Sequence, residues 1–241
     1  FQMPLNFSLK EDFTSGSVQA KFYIVVNEEA VSLDKTLTNI TLEEGIPTDP
    51  NATSSNALDN ILIQDYGIKT SIPSEGLPMS ACEEVSLNTE TGQVLSFDLI
   101  RAISRIKVQF KNENNSTPIN ITTLKFGNFI ANKAYLFPKE GNAIPEGTNY
   151  QAQDVNNVSI SAPFQEVSEA VSCYILPSKA GSDQYTFGFN DYDNEVLQAN
   201  ENGAYSEINE LPRNTSLDIT ATIKGDYIIF DIPNVNQWSE A

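Results

Sequence analysis

The sequence predicts an all-β protein with few short helices, arranged as a β-sandwich. Apolar and polar residues alternate with a period of two in many short segments. Turn residues, chiefly Gly, Pro, Asn and Asp, separate these segments, and long stretches with the apolar spacing of a helix are missing. Many short strands joined by turns are typical of sandwich architectures.

The first predicted element is a strand at residues 1–9. Four apolar side chains alternate with polar ones there, which indicates a half-buried strand. They are Met3, Leu5, Phe7 and Leu9. Pro4 has no amide hydrogen to donate, so we expect this strand at a sheet edge. A more deeply buried strand is predicted at residues 21–26.

Residues 56–67 have two interpretations. Asn56 is a suitable cap for a short helix with Ile61 and Tyr66 on one face and Gly67 at its end. The alternative is a strand at residues 61–63, and the sequence does not decide between them.

The segment at residues 95–110 switches its buried face. Leu95, Phe97 and Leu99 lie on one face of an ideal strand, and Ile106, Val108 and Phe110 lie on the other. A strand cannot switch faces without a bulge or bend. We predict a bulged strand, with the irregularity between Ile100 and Arg105; a single helical turn is the alternative.

The rest of the chain adds strands and one domain boundary. Predicted strands lie at residues 119–124, 126–130, 134–137, 158–161, 173–176 and 185–189, with a possible helical turn near 164–171. The strictly alternating residues 217–223, a turn at 224–226 and residues 227–232 predict a hairpin. The polar stretch 139–157 predicts a division into domains 1–150 and 151–241.

Composition and charge exclude several classes of function. The chain has 241 residues, 40% of them hydrophobic, which is enough for one large or two ordinary folded domains. Its formal charge of -18 repels phosphate backbones and anionic lipids, so we expect neither nucleic-acid binding nor membrane association. No apolar run is long enough for membrane insertion of the mature chain.

The residue types argue against catalysis. The chain contains no histidine, which excludes Ser-His-Asp systems and zinc sites built on imidazole. The 32 acidic residues show no spacing that singles out a glycosidase pair, and there is no glycine-rich phosphate loop. We therefore predict a protein that is not an enzyme and needs no cofactor or metal.

Two further features have simple expected explanations. Asp191, Asp193 and Glu195 lack the spacing of a calcium loop and are expected in an acidic hairpin turn. Cys82 and Cys173 are expected to be small buried hydrophobic residues and not a disulfide. No signal peptide is visible before Phe1, so a leader is expected to have been removed.

Arg101, Arg105 and Trp238 are the candidate contact residues of the later chain. Arginine is rarely buried unpaired, so the two arginines are expected either to face solvent or to lie at a subunit contact. Trp238, the only tryptophan, is expected to anchor the chain end to the core, with sugar stacking as the alternative.

Two segments resemble the type V pilins, the fimbrillins of Bacteroidales surface fimbriae. The first is the Pro78-Met79-Ser80 turn followed by LIRAISRIKVQF, and the second is RNTSLDITATIKG followed by IPNVNQW. FGNFIANKAYLFP and SCYILPS are weaker matches in the same order. The motifs cover about a quarter of the chain.

The resemblance implies two tandem transthyretin-like β-sandwich domains and a non-catalytic fimbrial subunit. Fimbrillins are exported as lipoproteins, lose an N-terminal strand to a protease, and accept a strand from a neighbouring subunit in the vacated groove. The resemblance thus implies other pilin subunits and a host or bacterial surface ligand as partners, at an extracellular fimbrium on the outer-membrane surface. Residues 1–9 are the strand that would leave; a permanent strand is the alternative.

Two departures from the family favour a tip or accessory subunit over a stalk subunit; a chain that has already been trimmed is the alternative. The first arginine is Arg101, so arginine-directed processing has no site in the first hundred residues, where the basic residues are Lys10, Lys21, Lys35 and Lys69. The chain also ends three residues after Trp238.

The alternative to a fimbrial subunit is a surface carbohydrate-binding β-sandwich. It requires a platform of exposed aromatic side chains. The candidates are Tyr185, Tyr192, Tyr205 and Trp238.

Overall fold

The computed structural model describes residues 17–34, 42–43, 46–47, 56–88, 93–114, 116–179, 184–201, 204–233 and 235–238. The strands are β1 (Ser17–Val26), β2 (Ser32–Leu33), β3 (Leu42–Glu43), β4 (Ile46–Pro47), β5 (Leu62–Gln64), β6 (Met79–Asn88), β7 (Ile100–Arg101), β8 (Ser104–Asn112), β9 (Ile119–Ala131), β10 (Lys133–Tyr135), β11 (Tyr150–Ala162), β12 (Val171–Ile175), β13 (Ser178–Lys179), β14 (Thr186–Phe189), β15 (Glu195–Val196), β16 (Gln198–Glu201), β17 (Ala204–Glu207), β18 (Glu210–Leu211), β19 (Thr215–Lys224), β20 (Tyr227–Asp231) and β21 (Val235–Gln237). The helical elements are α1 (Asn56–Asp59) and 3-10 turns at Glu28–Ala30 and Glu140–Asn142. None of the helices in these ranges is long and apolar enough to cross a membrane. The all-β prediction is confirmed.

Two three-stranded sheets enclose the first of two hydrophobic cores. Their strand orders are β1-β6-β7 and β10-β5-β2. The first core consists of Ile61, Ile63, Tyr66, Ala102, Ile103, Ala131, Ala134, Leu136, Phe137, Tyr174, Leu176 and Trp238. Trp238 belongs to this core, so the C-terminal end of the described chain packs beside strands from its N-terminal half.

A second pair of sheets forms a β-sandwich around the second core. One sheet has the order β11-β9-β14-β15, and the other has the order β12-β8-β19-β20, with β21 also paired to β19. Aromatic rings fill the space between them, for example Phe110 against Phe189 at 4.9 Å and Phe129 against Tyr185 at 4.4 Å between ring centroids. Each fully buried side chain of this size stabilises the fold by about 1.5–3 kcal/mol.

The predicted C-terminal hairpin is confirmed. β19 alternates between buried and partly exposed residues from Leu217 to Ile223, and Lys224 pairs with Tyr227 across a two-residue turn. Gly225 in this turn has a φ of 64°, a conformation that glycine adopts without steric cost.

The switch of buried face near residue 100 has a different cause from the predicted bulge. β7 pairs with β6 in the first pair of sheets, whereas β8 pairs with β12 and β19 in the sandwich. Ala102 and Ile103, both fully buried, connect the two strands. The chain therefore crosses from one sheet to another, and the bulged continuous strand is a wrong prediction.

Both interpretations of residues 56–67 are partly right. A single helical turn, α1, is followed directly by the strand β5, in which Ile63 is fully buried. Residues 164–171 contain no helical turn; isolated bridges there join Phe164 to Asn112 and Val167 to Lys111.

The polar stretch at residues 139–157 leads into and includes part of an edge strand. Most residues of β11 are exposed or partly exposed, which explains their polar composition without a domain linker. β11 pairs with β9 along most of its length, so strands on the two sides of residue 150 share a sheet. The division into domains 1–150 and 151–241 stays a prediction.

Candidate subunit-contact site

Arg101 and Arg105 lie against the indole of Trp238. Their guanidinium carbons are 4.3 Å and 4.8 Å from the centroid of the ring system, within the range of cation–π attraction. The ring of Tyr174 stacks on the same indole at 5.6 Å. The structure thus brings together three of the residues that the sequence predicts as contacts, from two separate segments of the chain.

Both arginines are bound to neutral oxygens. Nη1 of Arg101 donates to Oδ1 of Asn214 at 3.0 Å and to the backbone carbonyl of Trp238 at 3.1 Å. Nε of Arg105 donates to Oγ of Ser216 at 3.0 Å, and Arg105 is only 6% exposed. The expectation that Arg105 faces solvent is therefore wrong.

A third arginine, Arg213, connects the two cores more extensively. Its guanidinium donates to the backbone carbonyls of Ile100, Arg101 and Leu136 at 3.0–3.1 Å and to Oγ of Ser80 at 2.8 Å. Burial lowers the pKa of Arg213 to about 10, and the side chain stays charged at neutral pH. We call Arg101, Arg105, Arg213 and Trp238 the arginine–tryptophan junction.

The two segments that resemble fimbrillins meet at this junction. The amide of Ala102 donates to the carbonyl of Pro78 at 2.8 Å, directly before β6. Met79 and Ser80 begin β6 and pair with β7, so the predicted turn at these residues is wrong. The amide of Asn214 donates to the carbonyl of Ile103 at 2.8 Å, and the amide of Trp238 donates to the carbonyl of Asn214 at 2.9 Å. Motifs that are far apart in the sequence therefore form one set of contacts.

Sequence reasoning did not assign a role to Arg213. The Arg-Asn-Thr motif that contains it was the available signal, but nothing local indicates which carbonyls an arginine will reach. Asn214 has a φ of 58°, a conformation that asparagine tolerates better than most residues, and this turn directs Arg213 toward the first core.

The second part of the candidate site is β1, a strand with apolar side chains on both faces. Tyr23 and Val25 pack against the first core, and the ring of Tyr23 contacts Phe137 at 4.9 Å. On the other face, Phe22 contacts Phe97 at 5.2 Å. In the described part of the chain, β6 is the one strand that pairs with β1, over all ten of its residues. Its apolar side chains show that both faces of β1 are covered. A ten-residue strand of this composition without proline also lacks most of the features that protect an exposed sheet edge.

The predicted strand at residues 1–9 lies outside the described residues. Nothing in the structure therefore tests the role of its four apolar side chains, Met3, Leu5, Phe7 and Leu9.

Asp59 attaches β1 to the end of α1. Its carboxylate accepts hydrogen bonds from Nζ of Lys21 and from the hydroxyl of Tyr23, each at 2.8 Å. Burial alone would raise the pKa of Asp59, but these two hydrogen bonds lower it below its ordinary value. The bond to Asp59 raises the pKa of Lys21, while burial and the same carboxylate raise the pKa of Tyr23 to about 12.

Replacing Asp59 with asparagine is expected to lower the free energy of unfolding by about 1 kcal/mol at neutral pH. The folded-state pKa of Asp59 is lowered, so its stabilisation is present above the unfolded-state pKa and is lost as pH falls through the folded-state pKa. Urea denaturation at several pH values should show that the difference in free energy of unfolding between the unmodified protein and Asp59→Asn disappears in acid. The control is Asp154→Asn on the exposed edge strand β11, and an equal effect of that change would contradict the assignment.

The acidic cluster lies on a hairpin turn, as predicted. Asp191, Asp193 and Glu195 are exposed and connect β14 to the start of β15. Within the described ranges, no three His, Cys, Asp or Glu side chains lie close enough to hold a metal ion.

The aromatic residues proposed for carbohydrate stacking do not form a platform. Tyr185 is fully buried, with its hydroxyl 2.6 Å from that of Ser178, and Trp238 is 6% exposed. Tyr192 packs on Phe189, and Tyr205 alone of the four is mostly exposed, at 66%. This arrangement does not favour the carbohydrate-binding alternative.

Cys82 and Cys173 do not form a disulfide. Cys173 is fully buried in the second core, as expected, whereas Cys82 is partly exposed on β6. Burial raises the pKa of both thiols, that of Cys173 to about 12.

Comparisons with known proteins identify the fold. No protein-family model matches the chain, and no curated protein matches it by sequence. A fimbrial assembly protein from Parabacteroides distasonis has a similar structure, with a TM-score of 0.51 and 10% identity over 90% of this chain and 69% of that protein. The chain's resemblance to fimbrial proteins of Bacteroidales is thus confirmed at the level of fold.

Two other solved structures share less of their length. The tip fimbrial protein Mfa3 from Porphyromonas gingivalis has a TM-score of 0.44 and 12% identity over 68% of this chain and 64% of that protein. A putative cell adhesion protein from Bacteroides ovatus has a TM-score of 0.44 and 13% identity over 73% of this chain. The chain spans 62% of the Bacteroides ovatus protein.

Proposed function

We propose that this chain is a non-catalytic structural subunit of a bacterial surface fimbrium. The fold shared with a fimbrial assembly protein supports this proposal. Other pilin subunits would be its main partners, and a ligand on a host or bacterial surface would be bound by the assembled fibre. The site of action would be the outer-membrane surface.

The observation that carries the proposal is the two-sided apolar strand β1. Its Phe22, Tyr23, Ile24 and Val25 side chains are all partly buried, and β6 covers one of its two edges. Backbone hydrogen bonds along the other edge, with side chains alternating into the two faces, are the means by which a sheet accepts an added strand. We infer that the second edge of β1 is where one subunit of the fibre is completed by a strand of another.

Residues 1–9 are the segment that we propose to be exchanged. Consecutive strands of a chain are usually neighbours in a sheet, and only a short connection separates this segment from β1. Before cleavage, this segment would occupy the position beside β1 that a neighbouring subunit's strand takes after cleavage. Its apolar side chains there would be Met3, Leu5, Phe7 and Leu9. The absence of arginine before Arg101 supports a tip or accessory position within this proposal.

Cleavage after Lys10 is expected to convert the monomer into polymers that survive detergent until they are boiled. Each subunit would then complete the sheet of its neighbour, and many backbone hydrogen bonds would have to break together. The measurement is treatment with a lysine-specific protease, followed by denaturing gels of unboiled and boiled samples.

Matched variants separate this result from nonspecific aggregation. Lys10→Gln should remain monomeric, whereas Lys35→Gln, which removes a different basic site, should still form the ladder. A cleaved protein that has lost residues 1–10 and stays monomeric at high concentration would contradict strand exchange.

A further inference from the structure

A second open sheet edge lies on the sandwich, far along the chain from β1. β20 is the outer strand of its sheet, and β19 is the one strand that pairs with it in the described ranges. Two of its outward side chains are large and hydrophobic, Tyr227 at 56% exposure and Ile229 at 46%. The strand contains no proline and no bulge, the usual protections of an exposed edge.

The backbone groups of Ile228 and Phe230 face this open edge. Lys224 and Tyr227 close a two-residue hairpin, so Tyr227, Ile229 and Asp231 direct their backbone groups toward β19. The backbone groups of the residues between them, Ile228 and Phe230, point away from β19. The carbonyl of Ile232, which belongs to this second set, accepts a hydrogen bond from the amide of Asn200 at 2.8 Å. Ile232 follows β20 directly, so the edge without a described strand partner extends over β20, from Tyr227 to Asp231.

We propose that β20 pairs antiparallel with β20 of a second copy of this chain. A two-fold axis through Ile229 places Ile228 opposite Phe230 of the other copy, and the two residues exchange backbone hydrogen bonds in both directions. The pairing closes the second core at this edge, because Ile228 and Phe230 are the partly buried residues that pack against it.

The outward side chains are self-complementary in this register. Ile229 meets Ile229 of the other copy at the centre, next to Thr222 on β19. Tyr227 lies opposite Asp231 of the other copy on the same face, which pairs a hydroxyl donor with a carboxylate and avoids two opposed acids. An apolar centre with a polar rim is the usual composition of a protein interface.

The net charge of the chain determines how this contact responds to salt. Two copies at -18 each repel one another over the whole surface, whereas the proposed contact itself is apolar and backbone-mediated. Added salt screens the repulsion, so the association should become stronger as ionic strength rises. This contact is independent of residues 1–9, and it would join subunits side by side.

Cysteine cross-linking tests the register. Ile229 of the two copies forms a pair without backbone hydrogen bonds, with Cα atoms about 4.5 Å apart, a separation that permits a disulfide. Ile229→Cys should therefore form a covalent dimer under mild oxidation. Tyr227→Cys and Asp231→Cys should cross-link when mixed and not when each is alone. Ile72→Cys, at an isoleucine that is 54% exposed outside any described strand, is the matched control.

Sedimentation velocity at several protein and salt concentrations tests the association without cysteines. Ile229→Lys should raise the dissociation constant by about tenfold or more, because two charges then meet at the centre, and Ile72→Lys should not. Circular dichroism confirms that each variant is folded. The proposal is overturned if the unmodified protein stays monomeric in high salt, or if Ile229→Cys cross-links no faster than Ile72→Cys.

Discussion

Replacing Trp238 with alanine is expected to lower the free energy of unfolding by about 3–5 kcal/mol. The indole is 6% exposed, packs in the first core, stacks on Tyr174 and lies under two guanidinium groups. Its removal leaves a cavity and withdraws the aromatic face from Arg101 and Arg105. Urea denaturation followed by circular dichroism measures the loss.

Tyr205→Ala is the matched control for this change. Tyr205 is also a large aromatic residue, but it is 66% exposed on β17, so its replacement should change the free energy of unfolding by no more than about 0.5 kcal/mol. Equal effects of the two substitutions would show that Trp238 does not anchor the chain end.

Replacing Arg213 with alanine is expected to destabilise the protein by about 2–4 kcal/mol. The guanidinium binds three backbone carbonyls and the hydroxyl of Ser80, and alanine leaves these acceptors without that donor. Removal of a partly buried charge offsets some of this loss. Because Trp238 is the only tryptophan, its fluorescence reports unfolding of the junction directly.

Two variants show whether the geometry or the charge of Arg213 matters. Arg213→Lys keeps the charge but not the planar fork of donors. Its free energy of unfolding should therefore fall by about half as much as that of Arg213→Ala. Lys179→Ala removes an exposed cation from a surface ion pair with Glu210 and should cost less than about 1 kcal/mol. A lysine variant as stable as the unmodified protein would mean that charge alone is sufficient at this position.

The parts of the fold that the sequence predicts well are those set by local alternation. Leu217 to Ile223 alternate strictly and form β19, because one face of that strand covers the second core. The same alternation also predicts the switch of buried face near Ile100. It does not predict the cause of the switch, because a change of sheet and a bulge produce the same pattern of apolar residues.

Polar edge strands and contacts between distant residues could not be predicted from the sequence. The first part of β11 resembles a linker in composition because its residues face solvent, so only its last part, residues 158–161, is predicted as a strand from the sequence. Its pairing with β9 shows that the strand begins at Tyr150. Exposure to solvent and a subunit contact were the two expectations for Arg105, because an arginine in an apolar segment shows nothing of its partners within the chain. Those partners, Ser216 and Trp238, are more than a hundred residues away in the sequence.

The most direct test of strand addition at β1 is hydrogen exchange of its backbone amides. The cleaved chain would be compared before assembly and in the detergent-resistant polymer. The proposal predicts that the β1 amides not bonded to β6 exchange quickly in the cleaved monomer and slowly in the polymer, while those bonded to β6 are protected in both. Equal exchange of all β1 amides in the two states would contradict a subunit contact at this edge.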